Sequence, residues 1–400
     1  MKEWVRPIGR GWVVRDEVPG PDVDEFAEPD AVVKALAHNE SSGSLLAVQH
    51  PHRMPDALAR GLDLLAALPS ARASLAALLQ EAYEQVTDVV APYTVDGPDG
   101  SACGLLCLVD PAAVDRHGVR RIRHGEEVYP NVVAERAAML AGLGAATSAA
   151  MLVPVADGDA LTSAVSAWTA AAGDPRVSTV DSAGRVHRLW LLGPGPDRDR
   201  LLAVAGSRPL MVADGNHRVA AATEAGVPGL LALVTAGPRL RVGAFHRVLT
   251  GTGLTADDLA GAWRAAGMRV HDLDHLADGA FADSGPPGAN SVVVHAGDRR
   301  LGVVLPPPEP GEPAPRIAQA VVENLLLRQA LRIDPEGPLV RTLAEGRSVP
   351  PDADAVLLLA PVPLADVLAV HAAGGRMPRK STYFTPKPRS GLLIVDVGGV

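Results

Sequence analysis

Apolar residues along this chain fall into two periodicities, and together they outline an alternating fold. Stretches that read as helices, with apolar positions three and four apart, are Pro55–Leu68, Ala71–Val86, Val132–Leu143, Asp159–Ala172, Arg198–Ala205, Val219–Ala225, Ala256–Ala266, Ile317–Leu331 and Leu364–Ala372. Short apolar runs bounded by turn residues read as strands: Ser44–His50, Asp88–Val95, Ala102–Val109, Met151–Val155, Pro209–Ala213, Leu230–Val234, Val242–Leu249, Ala355–Ala360 and Leu392–Val397. Arg176–Val180 and Val186–Leu192 flank Asp181-Ser182-Ala183-Gly184, the turn chemistry of a hairpin. Residues 1–43 read as loops with a short helix near Asp30–Ala37, and Pro306–Pro315 as a proline-rich connector.

Hairpins mixed with strand–helix alternation predict an α/β (α+β) fold with a mixed β-sheet and flanking helices. The expected division is a core over 1–250, with an N-terminal extension, and a C-terminal α/β subdomain over 251–400 whose tail returns toward the core's site. With 400 residues, 47% of them hydrophobic, the chain can bury a large core.

Composition narrows the function. No apolar run reaches the roughly 20 residues that span a bilayer, and Met1-Lys2-Glu3-Trp4 lacks a secretion signal, so a cytoplasmic protein with no membrane partner is expected. A net charge of −9 argues against nucleic acid as a partner. Cys103 and Cys107 share one face of a strand with Leu105, too far apart for a disulfide and without companions for a zinc site, and read as small core residues. Only four of the 37 basic residues are lysines, and two of these, Lys380 and Lys387, sit close together near the C-terminus.

The densest candidate chemistry is Ala213-Asp214-Gly215-Asn216-His217-Arg218, placed between an apolar strand and a helix. The first turn of a helix offers N–H groups without intrahelical acceptors and the positive end of the dipole, which together favour an anion. Gly215 lets backbone approach a ligand, Arg218 can fork onto phosphate or carboxylate, His217 can donate or shuttle a proton, and Asp214 can cap the helix, hold a metal or act as a base. A plain helix cap, with Asp214 or Asn216 as the N-cap, is the simpler alternative. A second polar cluster, Arg121-Ile122-Arg123-His124-Gly125-Glu126-Glu127, precedes Glu135-Arg136, and one of its carboxylates could serve as a general base. The segment Met377–Gly391 holds four cations, three aliphatic hydroxyls before Pro386, and two of the chain's aromatic residues.

These residues resemble the bacterial and archaeal domain-of-unknown-function family 1015. Its members carry Ala-Asp-Gly-His-His-Arg after a strand, where this chain has Ala213-Asp214-Gly215-Asn216-His217-Arg218. They end in Met-Pro-Pro-Lys-Ser-Thr-x-Phe-x-Pro-Lys, where this chain has Met377-Pro378-Arg379-Lys380-Ser381-Thr382-Tyr383-Phe384-Thr385-Pro386-Lys387. Their His-Glu followed by Asp-Arg corresponds to Gly125-Glu126 and Glu135-Arg136, and their His-x-x-Trp to His187–Trp190. The resemblance runs from about residue 40 to the C-terminus. Asn216, Gly125 and Glu135 depart from the pattern, and the family's N-terminal Pro-Pro-Tyr-Asp has no clear counterpart.

The Asp-Gly-x-His-Arg core is also similar to that of free serine kinases on the ParB/sulfiredoxin-like fold. The resemblance implies a kinase-like core and a nucleotide-dependent phosphotransferase, with ATP or ADP and Mg²⁺, acting on a small hydroxyl compound such as free serine. It implies Glu126, Asp214 and His217 as catalytic residues. Gly215, Asn216, His217, Arg218, Arg123, Lys380 and Lys387 would contact the nucleotide. Glu135, Arg136, Ser381 and Thr382 would contact substrate, and Asp214 and Glu126 would hold the metal. The departures at Asn216 and Gly125 favour a non-catalytic nucleotide- or metabolite-binding regulator as the alternative, with a ParB-like DNA-binding protein third. A homodimer is compatible with the sequence.

Overall fold

In a computed structural model, which describes residues 3–26, 29–38, 43–274, 290–307 and 315–398, the chain forms two compact units. The first comprises Met1–Leu240 and Thr385–Val400, the second Arg241–Phe384.

The first unit is built on a nine-stranded mixed sheet. Its strands run in the order Ile122–Arg123, Leu210–Asp214, Ala150–Pro154, Leu230–Arg239, Gly100–Val109, Ala91–Gly97, Val186–Leu189 and Val177–Val180, with Val5–Arg6 also paired to Gly100–Val109. Two pairings are parallel, Leu210–Asp214 with Ile122–Arg123 and Leu230–Arg239 with Ala150–Pro154; the rest are antiparallel. Side chains alternate across a strand, and the central strands are buried on both faces. Cys103, Leu105 and Cys107 join one core with Leu161, Val165 and Val219 from flanking helices, whereas Leu106, Leu231 and Leu233 join another with Ile8, Leu45 and Leu46. Both cysteines are thus free, buried core residues. A four-stranded antiparallel sheet sets Leu393–Asp396 between Ile8–Val14 and Ala145–Ala146, with Tyr83–Val89 beyond Ile8–Val14.

The second unit has a six-stranded antiparallel sheet ordered Arg269–Asp272, Arg299–Val304, Ser291–Ala296, Ala353–Leu358, Phe245–Thr250, Val340–Ala344. Its core centres on Trp263 of the helix Ala256–Ala265, which meets Leu326 and Leu327. The amphipathic stretch expected over Ile317–Leu331 is α-helical only at Ala318–Val321 and continues as a π-helix over Val322–Leu331. Of the Pro306–Pro315 connector, residues 308–314 lie outside the described residues.

Several expected elements change. Ser44–His50 is not a strand. Leu45–Gln49 is a helix whose N-terminus is capped by Ser44, with its hydroxyl accepting from Ala47 N at 3.3 Å; a short apolar run does not by itself distinguish a buried strand from a buried helical turn. The stretch Ala71–Val86 belongs to the helix Leu64–Ala82, begun by an Asp63 cap, and from Tyr83 the chain is a strand. Asp88–Val95 is divided at Val90, because Tyr83–Val89 and Ala91–Gly97 enter different sheets. Ile8–Val14, expected as loop, is a strand. Among the described residues, no helix is long and apolar enough to cross a membrane.

Candidate functional site

The strand Leu210–Asp214 lies between Ile122–Arg123 and Ala150–Pro154 and delivers its last residue to a turn. Gly215 takes a left-handed conformation, φ +92°, and serves as the N-cap of the helix Asn216–Glu224. A Cβ at Gly215 would lie 2.6 Å from Arg218 Nε, so glycine meets both a conformational and a steric demand here. Neither Asp214 nor Asn216 caps the helix through its side chain. The cap reading is therefore set aside, and both side chains are directed elsewhere.

Asp214 bridges two cations. One carboxylate oxygen accepts from Arg218 Nη2, four residues along the chain, and the other from Lys387 Nζ at 2.5 Å. The three side chains are 25%, 22% and 29% exposed, open enough for a ligand to reach and shielded enough for their charges to matter. Asn216 performs a different task. Its Oδ1 accepts from Gly125 N at 2.8 Å and, more weakly, from Glu126 N at 3.4 Å, which ties the Gly125-Glu126 loop to the start of the helix. Gly125 fits only because it has no side chain, since a Cβ would sit 2.4 Å from Val212 O. Arg123 lies two residues upstream in the edge strand, opposite Met211. His217 Nε2 accepts from Tyr129 N at 3.0 Å, and its ring stacks on that of Tyr129 at 5.8 Å between centroids. An accepting Nε2 leaves the proton of a neutral imidazole on Nδ1.

Glu135 and Arg136, from the helix Pro130–Leu143, line a cavity of about 230 Å³ together with Arg218. Crowding by protein and then the charge of Arg218 lower the Arg136 pKa, against the pull of Asp214 and Glu135. The sequence reading missed the rest of the polar wall: His50, His52, Gln49, Thr147 and Ser148. The one signal was the run His50-Pro51-His52-Arg53, with two of the chain's twelve histidines in four residues. Gln49 Nε2 holds Thr147 and Ser148 at 3.0 and 3.1 Å.

Burial, then Arg53, His52 and Arg136, lower the His50 pKa from 6.5 to about 4. The folded state thus binds fewer protons than the unfolded chain between those values, and stability falls as pH drops from about 6.5 to about 4, levelling off below. His50→Gln is expected to reduce this acid loss, read from urea unfolding at pH about 7 and about 5; an unchanged pH dependence would show that His50 does not titrate in this window.

The C-terminal segment is firmly anchored in the first unit on both sides of Lys387. Thr385 Oγ1 donates to Asp99 O at 3.0 Å, Arg389 N donates to Tyr93 Oη at 3.3 Å, and Ser390 bonds Asp24 through both N and Oγ at 2.9 Å. Tyr93 belongs to a buried chain in which its hydroxyl meets His187 Nδ1 at 2.6 Å and His187 Nε2 meets Asp181 at 3.0 Å. The His187–Trp190 motif is thereby structural: His187 supports the tail's anchor, and Trp190 Nε1 donates to Gly173 O at 3.0 Å. Lys380, Ser381 and Thr382 belong to the second unit. Lys380 has a left-handed backbone, φ 49°, and its ammonium lies over the Phe245 ring. Ser381 is wholly buried with its hydroxyl donating to Pro378 O at 2.6 Å, so it presents no free hydroxyl to a substrate. Buried Arg247, paired with Glu323 at 2.5 Å, holds the carbonyls of Arg379 and Lys380 at 3.3 and 3.1 Å.

The sequence matches no curated protein. Among solved structures, similarity extends to a free serine kinase in complex with AMP (11% identity, TM-score 0.38, covering 72% of this chain and 92% of that one). It extends also to C-terminally truncated SbnI from Staphylococcus aureus (14%, 0.39, 72% and 87%) and to a conserved hypothetical protein from Pyrococcus furiosus (12%, 0.37, 73% and 94%). At these values the likeness assigns no activity. The family model for proteins of unknown function DUF1015 matches residues 71–308, a span that holds Gly125-Glu126, Glu135-Arg136 and the Asp214–Arg218 turn. That is more than half of the chain, and the protein belongs to the DUF1015 family.

Proposed function

We propose that this protein is a nucleotide-dependent phosphotransferase acting on a small hydroxyl-bearing metabolite. The motif resemblance points to free serine or a related amino acid, with ATP or ADP as the nucleotide and Mg²⁺ as its counter-ion. The observation that carries the reading is the convergence of a glycine-opened helix start, Arg218 and Lys387 on the single carboxylate of Asp214. Two cations facing one carboxylate at the positive end of a helix are a ready receptor for phosphate oxygens. Arg218 supplies a fork and Lys387 a point charge, a complementary pair for neutralising a transferring phosphoryl group.

On this reading a phosphate draws Arg218 and Lys387 away from Asp214, whose carboxylate then serves a metal ion or a substrate hydroxyl. Among the described residues, no group of three or more His, Cys, Asp or Glu side chains converges as a ready metal site. Mg²⁺ in nucleotide sites commonly takes only one or two carboxylates alongside phosphate oxygens and water, a set that Asp214 and Glu126 fit. When bound, Mg²⁺ supplies neutralisation of the phosphate charge. Glu126, held through its backbone by Asn216, is the candidate base toward the acceptor hydroxyl. The His217 ring is engaged with Tyr129, so His217 enters the proposal through its backbone N–H at the helix start. The ParB/sulfiredoxin-like assignment of the core belongs to the same proposal.

One observation favours a binding-only regulator instead: Asn216, where relatives have histidine, is occupied with loop amides. A single experiment separates the two. The full chain is incubated with ATP or ADP, Mg²⁺ and a panel of hydroxy amino acids, and products are followed by phosphorus NMR beside calorimetric titration of the nucleotide. A phosphorylated product, lost in Arg218→Ala, supports the phosphotransferase. Nucleotide binding with no product across the panel supports the regulator, and the absence of both defeats the two readings together.

A further inference from the structure

The cavity beside the turn holds chemistry that the phosphate site does not use. Its charged wall is Arg136 and Glu135 with Arg218 nearby, and Asp214 already balances Arg218. Arg136 forms no hydrogen bond or ion pair among the described residues, although Glu135 precedes it on the same helix. Arg136 is exposed, so its guanidinium is accessible to an anion that enters the cavity. Across from it stand His50 and His52, brought by the segment after the helix Leu45–Gln49. His52 Nδ1 is buried without a hydrogen-bond partner among the described residues. Both imidazoles are pushed toward the neutral form by burial, so each offers one donor and one acceptor at neutral pH. The hydroxyls of Thr147 and Ser148 are fixed by Gln49, and Ser148 is also bonded to Ser390 of the anchored tail at 2.9 Å. The remaining wall is apolar, with Leu64, Met139, Leu140, Ala146 and Leu230.

We infer that this cavity binds a second small ligand carrying an oxyanion group on an apolar body, with Arg136 as the oxyanion contact and the His50–His52 pair as its hydrogen-bonding neighbours. The inference builds on the proposed phosphotransferase in that the nucleotide occupies the adjoining turn, which leaves this cavity to the acceptor. A volume of about 230 Å³ suits a small metabolite. The apolar wall selects against a ligand that is polar throughout, since burying its polar groups there without partners would be costly. A carboxylate and a phosphate ester both carry the required group.

Calorimetric titration of the full chain with 3-hydroxybutyrate, n-butyl phosphate and ADP tests the inference and separates those two sources. We expect saturable binding of 3-hydroxybutyrate or n-butyl phosphate, with or without ADP. Arg136→Gln should weaken that binding about tenfold or more while leaving ADP affinity within about twofold. Arg136→Lys, which keeps the charge but not the fork, should lose a few-fold, and it decides the matter if Arg136→Gln does not fold. Failure of both probes to bind the wild-type chain, unchanged binding in the Arg136 variants, or displacement of the probe by ADP each overturns the inference. Loss of ADP binding in the wild-type chain alone defeats the phosphotransferase reading and leaves this subsite standing.

Discussion

Replacing Arg218 by alanine is expected to weaken ADP binding about a hundredfold, and replacing Lys387 about tenfold. Each removes a charge-assisted contact worth roughly 1.5–3 kcal/mol in a partly shielded setting, and about 1.4 kcal/mol corresponds to each factor of ten. Arg218 should matter more. It is set on the first turn of a rigid helix and presents a planar fork, whereas Lys387 reaches in from the tail and is the more exposed of the two. The same geometry makes the Asp214 prediction asymmetric. In the ligand-free protein Asp214 competes with phosphate for both cations, so Asp214→Asn should strengthen ADP binding in the absence of Mg²⁺ while abolishing turnover. Stability of all three variants should change by no more than about 1 kcal/mol, since ion pairs this accessible contribute little to folding. Calorimetric titration with and without Mg²⁺ measures these effects. Unchanged ADP affinity in both Arg218→Ala and Lys387→Ala would remove the phosphate site from the turn.

The geometry at the turn was legible in the sequence wherever its residues are contiguous. An apolar strand, a glycine and a polar helix start predict the turn at Asp214–Arg218, because backbone geometry alone forces strand, turn and helix into that order. Asp214 meeting Arg218 follows from their closeness across the Gly215 turn, with Arg218 on the first turn of the helix that Gly215 opens. Lys387 was legible only as an unusual lysine in an arginine-rich chain; its approach to Asp214 depends on anchors at Asp99, Tyr93 and Asp24, none of which is local in sequence. The histidine pair was missed for the same reason. It enters the cavity from a segment far upstream, and that segment was read as following a strand. The run Ser44–His50 contains too few residues to reveal a period, and only the Ser44 hydroxyl, by capping, decides for a helix. Ile8–Val14 was read as loop because residues 1–43 are mixed and rich in Pro, Asp and Glu, yet pairing on both sides with Tyr83–Val89 and Leu393–Asp396 makes it a strand. The alternation of α and β elements, by contrast, was carried by long periodic stretches and survived these local errors.

Gly125→Ala is expected to destabilise the protein by about 2–4 kcal/mol and to lower its melting temperature by roughly 5–15 °C. The added methyl would lie 2.4 Å from Val212 O, and Val212 pairs with Leu152 inside the sheet, so the strand cannot yield. The loop must lift instead, and lifting it breaks the 2.8 Å bond from Gly125 N to Asn216 Oδ1, a further loss of about 1 kcal/mol. Asn216→Ala removes that same acceptor and should cost about 1–2 kcal/mol by leaving the Gly125 amide buried without it. Because both substitutions break one contact, the double variant should cost less than the sum of the singles, the sign expected of residues that share a partner. Thermal unfolding of the three variants by circular dichroism measures the cycle, and a Gly125→Ala protein melting within about a degree of wild type would contradict the steric account. The coupling bears on how this chain differs from its relatives. A histidine side chain at 125 would begin with the same forbidden Cβ, and a histidine at 216 could not offer the carboxamide oxygen that receives the Gly125 and Glu126 amides. Gly125 and Asn216 therefore act as one structural unit in this chain, a glycine pressed against the strand and an asparagine that holds it there. That unit keeps the backbone of Glu126 tied to the start of the helix that carries Arg218.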